Sequence, residues 1–142
     1  MQPPVEATRL ISVCIPATPD RLCLVRALVK RAAEAVGCSN DLGNQIVIAV
    51  NEACMNIIQH AYGKPGAGEI TLEIFNNDSQ IFFRLEDNAR PVDLDTVQPR
   101  DLEDIRPGGL GVHFIREIMD EYEMGHRSGG VGNYLEMTKR IS

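Results

Sequence analysis

The spacing of apolar positions divides the first third of the chain into a strand and a helix. An apolar run over residues 8–16 ends at a proline and predicts a β-strand. Apolar residues then recur every three or four positions over residues 22–36, which predicts an amphipathic helix. Thr18, followed by a proline, is its expected N-cap, and Gly37 is expected to end it.

The same helical spacing returns between residues 40 and 58 and predicts a second helix that ends near Gly63. Ser39 or Asn40 is expected to begin it. Alternating apolar and polar positions then predict strands, and turn-forming residues between them predict antiparallel hairpins. These later elements are two hairpins and a third helix: 69–75 with 80–87, 121–127 with 133–141, and 110–119.

One long stretch, residues 88–107, has no periodicity and is rich in Pro, Asp and Arg. Loops of this length are uncommon inside a compact domain and are more often functional lids than connections. The order of elements predicts an α+β fold, a two-layer sandwich with helices on one face of a mixed, mostly antiparallel sheet. We expect a flexible extension over residues 1–7 and a single domain over 8–142.

Composition narrows the class of protein. With 142 residues, 44% apolar and 24% charged, the chain is long enough to bury a core without disulfides or metal. No segment has the length of a membrane span and the first residues do not form a secretory signal, so a cytoplasmic location is expected. The net charge of -6, without a basic cluster, argues against nucleic acid as a partner.

The four cysteines are scattered and include no C-x-x-C pair, which argues against a zinc site. We expect reduced thiols that mostly act as small apolar fillers of the core. They are Cys14, Cys23, Cys38 and Cys54.

Glu52 and Asn56 lie four residues apart on the second predicted helix and therefore share one face. Such pairs usually belong to a solvated surface, but asparagine is unfavourable in the middle of a helix. The functional hypothesis makes the side-chain oxygen of Asn56 a Mg²⁺ ligand, with Glu52 polarising a hydroxyl or water aimed at a terminal phosphate. His60, one turn further, either interacts with the helix dipole or contacts phosphate.

A glycine-rich turn, Gly108 to Gly111, opens the third predicted helix. Its amides either cradle phosphate or only permit a tight turn, because neither a Walker A motif nor G-x-G-x-x-G is present. Asp87 ends a strand just before the predicted lid. A lone aspartate in that position is usually a turn former, but here it lies between the two other motifs.

In this order the three segments resemble the motifs of the Bergerat-type, histidine-kinase-like ATPases. The closest resemblance is to the anti-sigma-factor serine kinases of bacteria. Residues 52–63 resemble their N box, residues 87–93 their D-x-G-x-P-x-D box, residues 108–120 their glycine box and following helix, and residues 132–137 their last box.

The resemblance implies ATP and Mg²⁺ as cofactors and assigns roles within the site. Glu52 is the general base, Asn56 the Mg²⁺ ligand and Asp87 the acceptor for the adenine amino group. The amides of Gly109, Leu110 and Gly111 hold phosphates. The remaining residues of the implied nucleotide site are His60, Ala89, Arg90, Gly108, Val112 and Asn133.

The same resemblance implies partners. Family members phosphorylate a serine on a STAS-type anti-anti-sigma protein, bind or release a sigma factor accordingly, and usually work as homodimers. The expected activity is thus that of a serine/threonine protein kinase, without nucleic acid or membrane as partner.

Ala89 departs from the family pattern, which has glycine at this place. Either the backbone keeps a negative φ there, or the methyl group crowds the adenine pocket. The second possibility motivates an alternative function, a non-catalytic module that sequesters a sigma factor or another regulator. The catalytic half of a histidine kinase is less favoured because it needs a separate helical phosphoacceptor domain.

Overall fold

The computed structural model describes residues 2–62, 68–89, 109–129 and 131–141. Most of the predicted lid therefore lies outside the described residues. The elements are β1 (Thr8–Pro16), a 3₁₀ turn (Pro19–Arg21), α1 (Leu22–Ala35), α2 (Asn40–Asn56), a π-helical turn (Ile57–Tyr62), β2 (Glu69–Asn76), β3 (Gln80–Asp87), α3 (Gly109–Ile118), β4 (Glu121–His126) and β5 (Asn133–Arg140).

The five strands form one sheet in the order β1-β2-β3-β5-β4, and each described pairing is antiparallel. The predicted α+β class and both hairpins are confirmed. The parallel pair that a mixed sheet would contain does not occur among the described strands. The reason is the direction of β5, which lies between β3 and β4 and runs antiparallel to both.

The helices cover one face of the sheet, and the core lies between the two layers. Along β3, the residues Ile81, Phe83 and Leu85 point into this core and are fully buried. Arg84 and Glu86 alternate with them and point to the opposite, outer face. Each large apolar side chain removed from water contributes roughly 1.5–3 kcal/mol, which makes this interface the main source of stability.

The predicted helix ends agree with the capping geometry at two of three places. The hydroxyl of Ser39 accepts a hydrogen bond from the Leu42 amide at 3.1 Å and caps α2. Gly37 follows α1 with a φ of +92°, a left-handed conformation that favours glycine. Thr18 instead precedes the short 3₁₀ turn and makes no side-chain cap bond. No helix in the described ranges is both long and apolar enough to cross a bilayer.

All four cysteines are free thiols, as expected, but the filler role fits mainly Cys54. Cys54 is buried, and burial raises the pKa of its thiol to about 12. Cys14 and Cys23 are exposed, so the prediction that most of the cysteines fill the core is wrong. For Cys14 the reason is strand alternation, since its neighbours Val13 and Ile15 take the inward positions.

Candidate functional site

Asn56 is the last residue of α2 and is buried, with 7% of its surface exposed. Neither its side-chain oxygen nor its side-chain nitrogen has a hydrogen-bond partner among the described residues. A buried polar group left without a partner costs about 1–3 kcal/mol, and folded proteins rarely retain one without a use for it. The amide of Asn56 is therefore suited to a ligand that completes its bonding.

The helix changes its hydrogen-bonding pattern directly after Asn56. Residues Ile57–Tyr62 form a π-helical turn, which is wider than an α-helical turn. Such turns are rare in proteins overall, and those that occur often lie at functional sites. The side-chain oxygen of Gln59 within this turn is likewise buried without a partner. This turn is not predictable from the sequence, because apolar spacing does not distinguish i+4 from i+5 winding over six residues. The side chain of His60 lies outside the described part, so its two predicted roles stay open.

Glu52 lies one helical turn before Asn56 on α2, as predicted from the spacing. Its side chain is half-buried, and burial raises the pKa of its carboxyl group. A carboxylate whose pKa is raised is a better proton acceptor, provided that it remains ionised at the working pH. The helix thus places a proton acceptor and an unpartnered amide oxygen side by side.

Asp87 ends β3 and is 2% exposed, so it is more than a surface turn former. Its Oδ1 accepts three hydrogen bonds: from the Ala89 amide at 2.9 Å, from the Asn133 amide at 3.2 Å and from Asn133 Nδ2 at 2.9 Å. The described residues donate no hydrogen bond to Oδ2. Burial raises the pKa of Asp87, while the bonds from Asn133 and Ala89 lower it. One carboxylate oxygen is fixed by the fold, and the other is available to a donor on a ligand.

Asn133, at the start of β5, is the predicted site residue that the structure joins most directly to Asp87. It is buried, with 6% exposed, and supplies two of the three bonds to Oδ1. Gly132 before it has a φ of +93°, and its amide donates to the Ala89 carbonyl at 3.0 Å. A Cβ atom on Gly132 would collide with the carbonyl oxygen of Asp87. The β4–β5 connection is therefore packed tightly against the turn that follows β3.

The backbone of Ala89 is not left-handed. Among the described residues, Glu6 is the only non-glycine residue with a positive φ. Both of its backbone groups serve the turn: its amide bonds to Asp87 Oδ1 and its carbonyl accepts from Gly132. Of the two possibilities raised by the missing glycine, the backbone therefore follows the first, a negative φ at residue 89. Alanine adopts this conformation without strain.

Arg127, at the end of the β4–β5 hairpin, was missed by the sequence analysis. Its Nη1 donates to the Asn88 side-chain oxygen at 2.6 Å and to the Asp87 carbonyl at 3.2 Å, and its Nε pairs with Glu86 at 2.8 Å. The sequence offered no spacing rule for it, since these contacts arise from the folding of β4 and β5 against β3.

The glycine-rich segment is described in part. The backbone of α3 begins at Gly109, and α3 packs against α2. The first amides of a helix have no partners within it and favour anions, which makes this end a suitable phosphate contact. Gly108 and Arg90 lie outside the described residues, as do the side chains of Leu110 and Val112.

A separate polar cluster lies on the outer face of the sheet. Arg84 is 3.6 Å from Glu73 and 3.8 Å from Glu136, and its guanidinium lies over the Phe75 and Phe82 rings. Burial raises the pKa of Glu136, and Arg84 lowers it. None of the predicted site residues belongs to this cluster. In the described ranges no three His, Cys, Asp or Glu side chains group as a metal site would require.

Comparisons with known proteins show the family to which this chain belongs. A family model described as the histidine kinase-like ATPase domain matches residues 15–139. The serine-protein kinase RsbW of Halalkalibacterium halodurans is 30% identical, over 95% of this chain and 85% of that protein. RsbW of Listeria monocytogenes serovar 1/2a is 32% identical, over 84% of this chain and 81% of that protein.

Two solved structures share the fold. The RsbU and RsbW domains of Rv1364c from Mycobacterium tuberculosis match with a TM-score of 0.64 and 18% identity, over 97% of this chain and 32% of that one. A chain of the SiaB–SiaC complex from Pseudomonas aeruginosa matches with a TM-score of 0.63 and 16% identity, over 94% and 91%. The chain therefore belongs to the histidine kinase-like ATPase domain family, and within it to the RsbW-type serine-protein kinases.

Proposed function

We propose that this protein is a serine protein kinase that binds Mg-ATP and phosphorylates a serine of a protein partner. The observation that carries the proposal is the buried, unpartnered amide of Asn56, one helical turn from the half-buried carboxylate of Glu52. A structural asparagine would have its amide bonded within the fold. A buried amide without a hydrogen-bond partner, next to a proton acceptor, is suited to phosphoryl transfer.

The Asn56 oxygen fits a role as a Mg²⁺ ligand. Magnesium prefers oxygen ligands, keeps several waters and binds phosphate oxygens, so one protein ligand is sufficient. The described residues form no carboxylate cage that would hold the ion without nucleotide. When bound, Mg²⁺ neutralises charge on the phosphates of ATP.

Glu52 is proposed as the general base. The partner's serine hydroxyl gives its proton to Glu52 as its oxygen forms a bond to the γ-phosphorus of ATP. The bond between that phosphorus and the bridging oxygen breaks, and ADP leaves. The raised pKa of Glu52 favours this role because proton transfer is most efficient when the pKa of the base approaches the working pH.

Asp87 is proposed to read the purine. Its Oδ1 is held by three donors from Ala89 and Asn133, which leaves Oδ2 to accept from the adenine amino group. Guanine has an oxygen where adenine has this amino group and would place two acceptors against each other. We therefore propose that ATP is preferred to GTP, and that the amides at the start of α3 contact the phosphates.

The partner class follows from kinship with the RsbW serine-protein kinases. We propose a STAS-type anti-anti-sigma protein as substrate, a sigma factor as the alternative binding partner, a homodimer as the working unit and the cytoplasm as the location. Phosphorylation would then switch which partner is held. The net charge of -6 supports protein partners rather than nucleic acid.

The alternative, a non-catalytic sequestering module, was motivated by Ala89. Its backbone φ is negative and both its backbone groups support the Asp87 turn, so the turn forms without strain although glycine is missing. We therefore favour the kinase.

The test is calorimetric titration of ATP, with and without Mg²⁺, into wild type, Asn56→Ala and Asn51→Ala. Asn51 is a matched control on the same helix, since its amide oxygen already accepts a bond from Arg26 at 3.0 Å. We expect Mg²⁺-dependent binding in wild type and Asn51→Ala, and its loss in Asn56→Ala. Undiminished Mg-ATP binding by Asn56→Ala would refute the proposed ligand role.

Asn56→Ala should also fold as well as wild type without nucleotide, because it removes no hydrogen bond of the described structure. Loss of binding is then a property of the site rather than of the fold. For catalysis, Glu52→Gln is expected to bind Mg-ATP but to transfer phosphate to a cognate partner at least about 100-fold more slowly, the usual size of a general-base contribution.

A further inference from the structure

Tyr62, the last residue of the π-helical turn, connects three parts of the fold through its hydroxyl group. The hydroxyl donates to the Glu69 carbonyl at 2.6 Å and accepts from the Asn88 amide at 3.0 Å. One contact lies at the start of β2 and the other in the turn after β3. Both distances are those of good hydrogen bonds.

The ring of Tyr62 is held in place by close packing on Gly68. A Cβ atom on Gly68 would fall inside the contact distance of the ring, so any side chain at this position would displace the ring. The Gly68 carbonyl in turn accepts from the Ala17 amide at 2.9 Å, which fixes this part of the chain to the end of β1. The hydroxyl therefore has a defined position rather than a choice of partners.

Asn88, whose amide the hydroxyl holds, lies between Asp87 and Ala89. The Ala89 amide is one of the three donors to Asp87 Oδ1, so the course of the chain through Asn88 sets the orientation of that carboxylate. Arg127 holds the side chain of Asn88, and Tyr62 holds its backbone amide. The turn is thereby secured from two different elements.

We propose that Tyr62 is a positioning residue for purine recognition, acting through Asn88 on the carboxylate of Asp87. The inference rests on the proposed function, in which Asp87 accepts from the adenine amino group. The π-helical turn Ile57–Tyr62 begins directly after Asn56, the proposed metal ligand. At its other end, Tyr62 holds the turn Asp87–Ala89, which is proposed to recognise the purine.

The experiment compares Mg-ATP and Mg-GTP affinities, by calorimetry, for wild type, Tyr62→Phe and Tyr122→Phe. Tyr62→Phe keeps the ring and removes only the hydroxyl. Tyr122→Phe makes the same chemical change on β4, which pairs with β5 at Met137 and is remote from Asp87. We expect ATP affinity to fall about three- to tenfold in Tyr62→Phe, as for loss of one or two hydrogen bonds, with GTP affinity little changed. Tyr122→Phe should bind both nucleotides like wild type.

An unchanged ratio of ATP to GTP affinity in Tyr62→Phe overturns the inference, whether both affinities stay at wild-type values or fall together. Asp87→Asn separates this failure from that of the proposed function. If Asp87→Asn loses ATP preference while Tyr62→Phe keeps it, only the inference about Tyr62 is wrong. If wild type does not prefer ATP to GTP, purine reading by Asp87 is wrong as well.

A measurement on wild type alone covers the case in which Tyr62→Phe does not fold. Amide hydrogen exchange at Asn88 reports directly on the bond to the Tyr62 hydroxyl. We expect this amide to be protected in the free protein and to exchange still more slowly with ATP. An Asn88 amide that exchanges at the rate of an unstructured chain contradicts it.

Discussion

The side-chain amide of Asn133 lies 2.9 Å from the Asp87 carboxylate, although 46 positions separate the two residues in the chain. The pairing of β3 with β5 brings them together, since Glu86 lies opposite Tyr134 in that register. Both residues stand at the ends of their strands, where the ladder stops and side chains can turn toward each other. The register of the sheet thus positions the carboxylate proposed to read the purine.

Replacing Asn133 with alanine should weaken both the fold and the site. The variant removes the side-chain donor to a buried carboxylate, so we expect the free energy of unfolding to fall by about 1–3 kcal/mol. ATP affinity should fall as well, because Asp87 Oδ1 loses one of its three anchors. Urea unfolding and calorimetric titration measure the two effects. Wild-type values in both would show that Asn133 is dispensable for positioning Asp87.

Gly132 and Gly129 provide a matched pair in one connection, with φ values of +93° and +95°. A Cβ on Gly132 would collide with the Asp87 carbonyl oxygen, whereas a Cβ on Gly129 meets nothing within 4 Å. We expect Gly129→Ala to cost only its left-handed backbone, about 1–2 kcal/mol. Gly132→Ala should cost clearly more and also reduce ATP affinity.

Thermal unfolding and calorimetry of the two variants separate backbone strain from collision. Equal destabilisation by Gly132→Ala and Gly129→Ala would mean that the Asp87 turn moves freely away from Gly132. In that case the β4–β5 connection would not hold the site.

The helix faces, a helix cap and the hairpins could be predicted from the sequence, because each depends on residues close together in the chain. Helical spacing placed Glu52 and Asn56 on one face, and the capping role of Ser39 follows from its preference for helix starts. Strand alternation identified both hairpins correctly. In each case the cause lies within about ten residues, where backbone geometry alone fixes which side chains are neighbours.

The contacts that build the site depend on long-range pairing, which one sequence does not reveal. Arg127 bonds to Asn88 and the Tyr62 hydroxyl bonds to the Asn88 amide because β2, β3 and the β4–β5 hairpin fold together. The π-helical turn after Asn56 was also missed, since one added residue per turn leaves no mark on the apolar spacing. The lid residues 90–107 lie outside the described structure, so their predicted role is untested.

The raised pKa of Glu52 predicts a pH-dependent penalty on stability. A carboxyl group whose folded pKa exceeds its unfolded value favours the folded state fully below the unfolded pKa, near 4.5, and this contribution is lost as the pH rises through the folded pKa. Glu52→Gln has no charge to bury. We therefore expect it to be more stable than wild type at pH 7, with the advantage shrinking toward pH 4.

Urea unfolding of both proteins between pH 4 and pH 8 measures this difference. Glu121→Gln is the matched control, because Glu121 is exposed at the start of β4. Its carboxylate stays in water when the chain folds, so this variant removes no buried charge and controls for the substitution itself. A Glu52→Gln variant that is less stable than wild type at pH 7 would contradict the assigned cause, which is burial of the carboxylate.

Substitutions of Arg127 show whether bond geometry or charge secures the turn Asp87–Ala89, which we propose recognises the purine. Arg127 reaches Glu86 through Nε and both the Asn88 side chain and the Asp87 carbonyl through Nη1. Arg127→Lys keeps the positive charge, but its single ammonium nitrogen replaces two donor nitrogens held in one plane and cannot occupy both positions. Glu86→Gln removes the ion pair and leaves both of those bonds. The Arg127–Glu86 pair is partly exposed, and such pairs contribute only about 0–1 kcal/mol. We therefore expect Arg127→Lys to lower ATP affinity several-fold and Glu86→Gln to change it little.

Calorimetric titration of ATP at two salt concentrations decides between the two causes. If the charge secured the turn, Glu86→Gln would lower ATP affinity more than Arg127→Lys. The effect of Glu86→Gln would also diminish at high salt, because salt screens the ion pair.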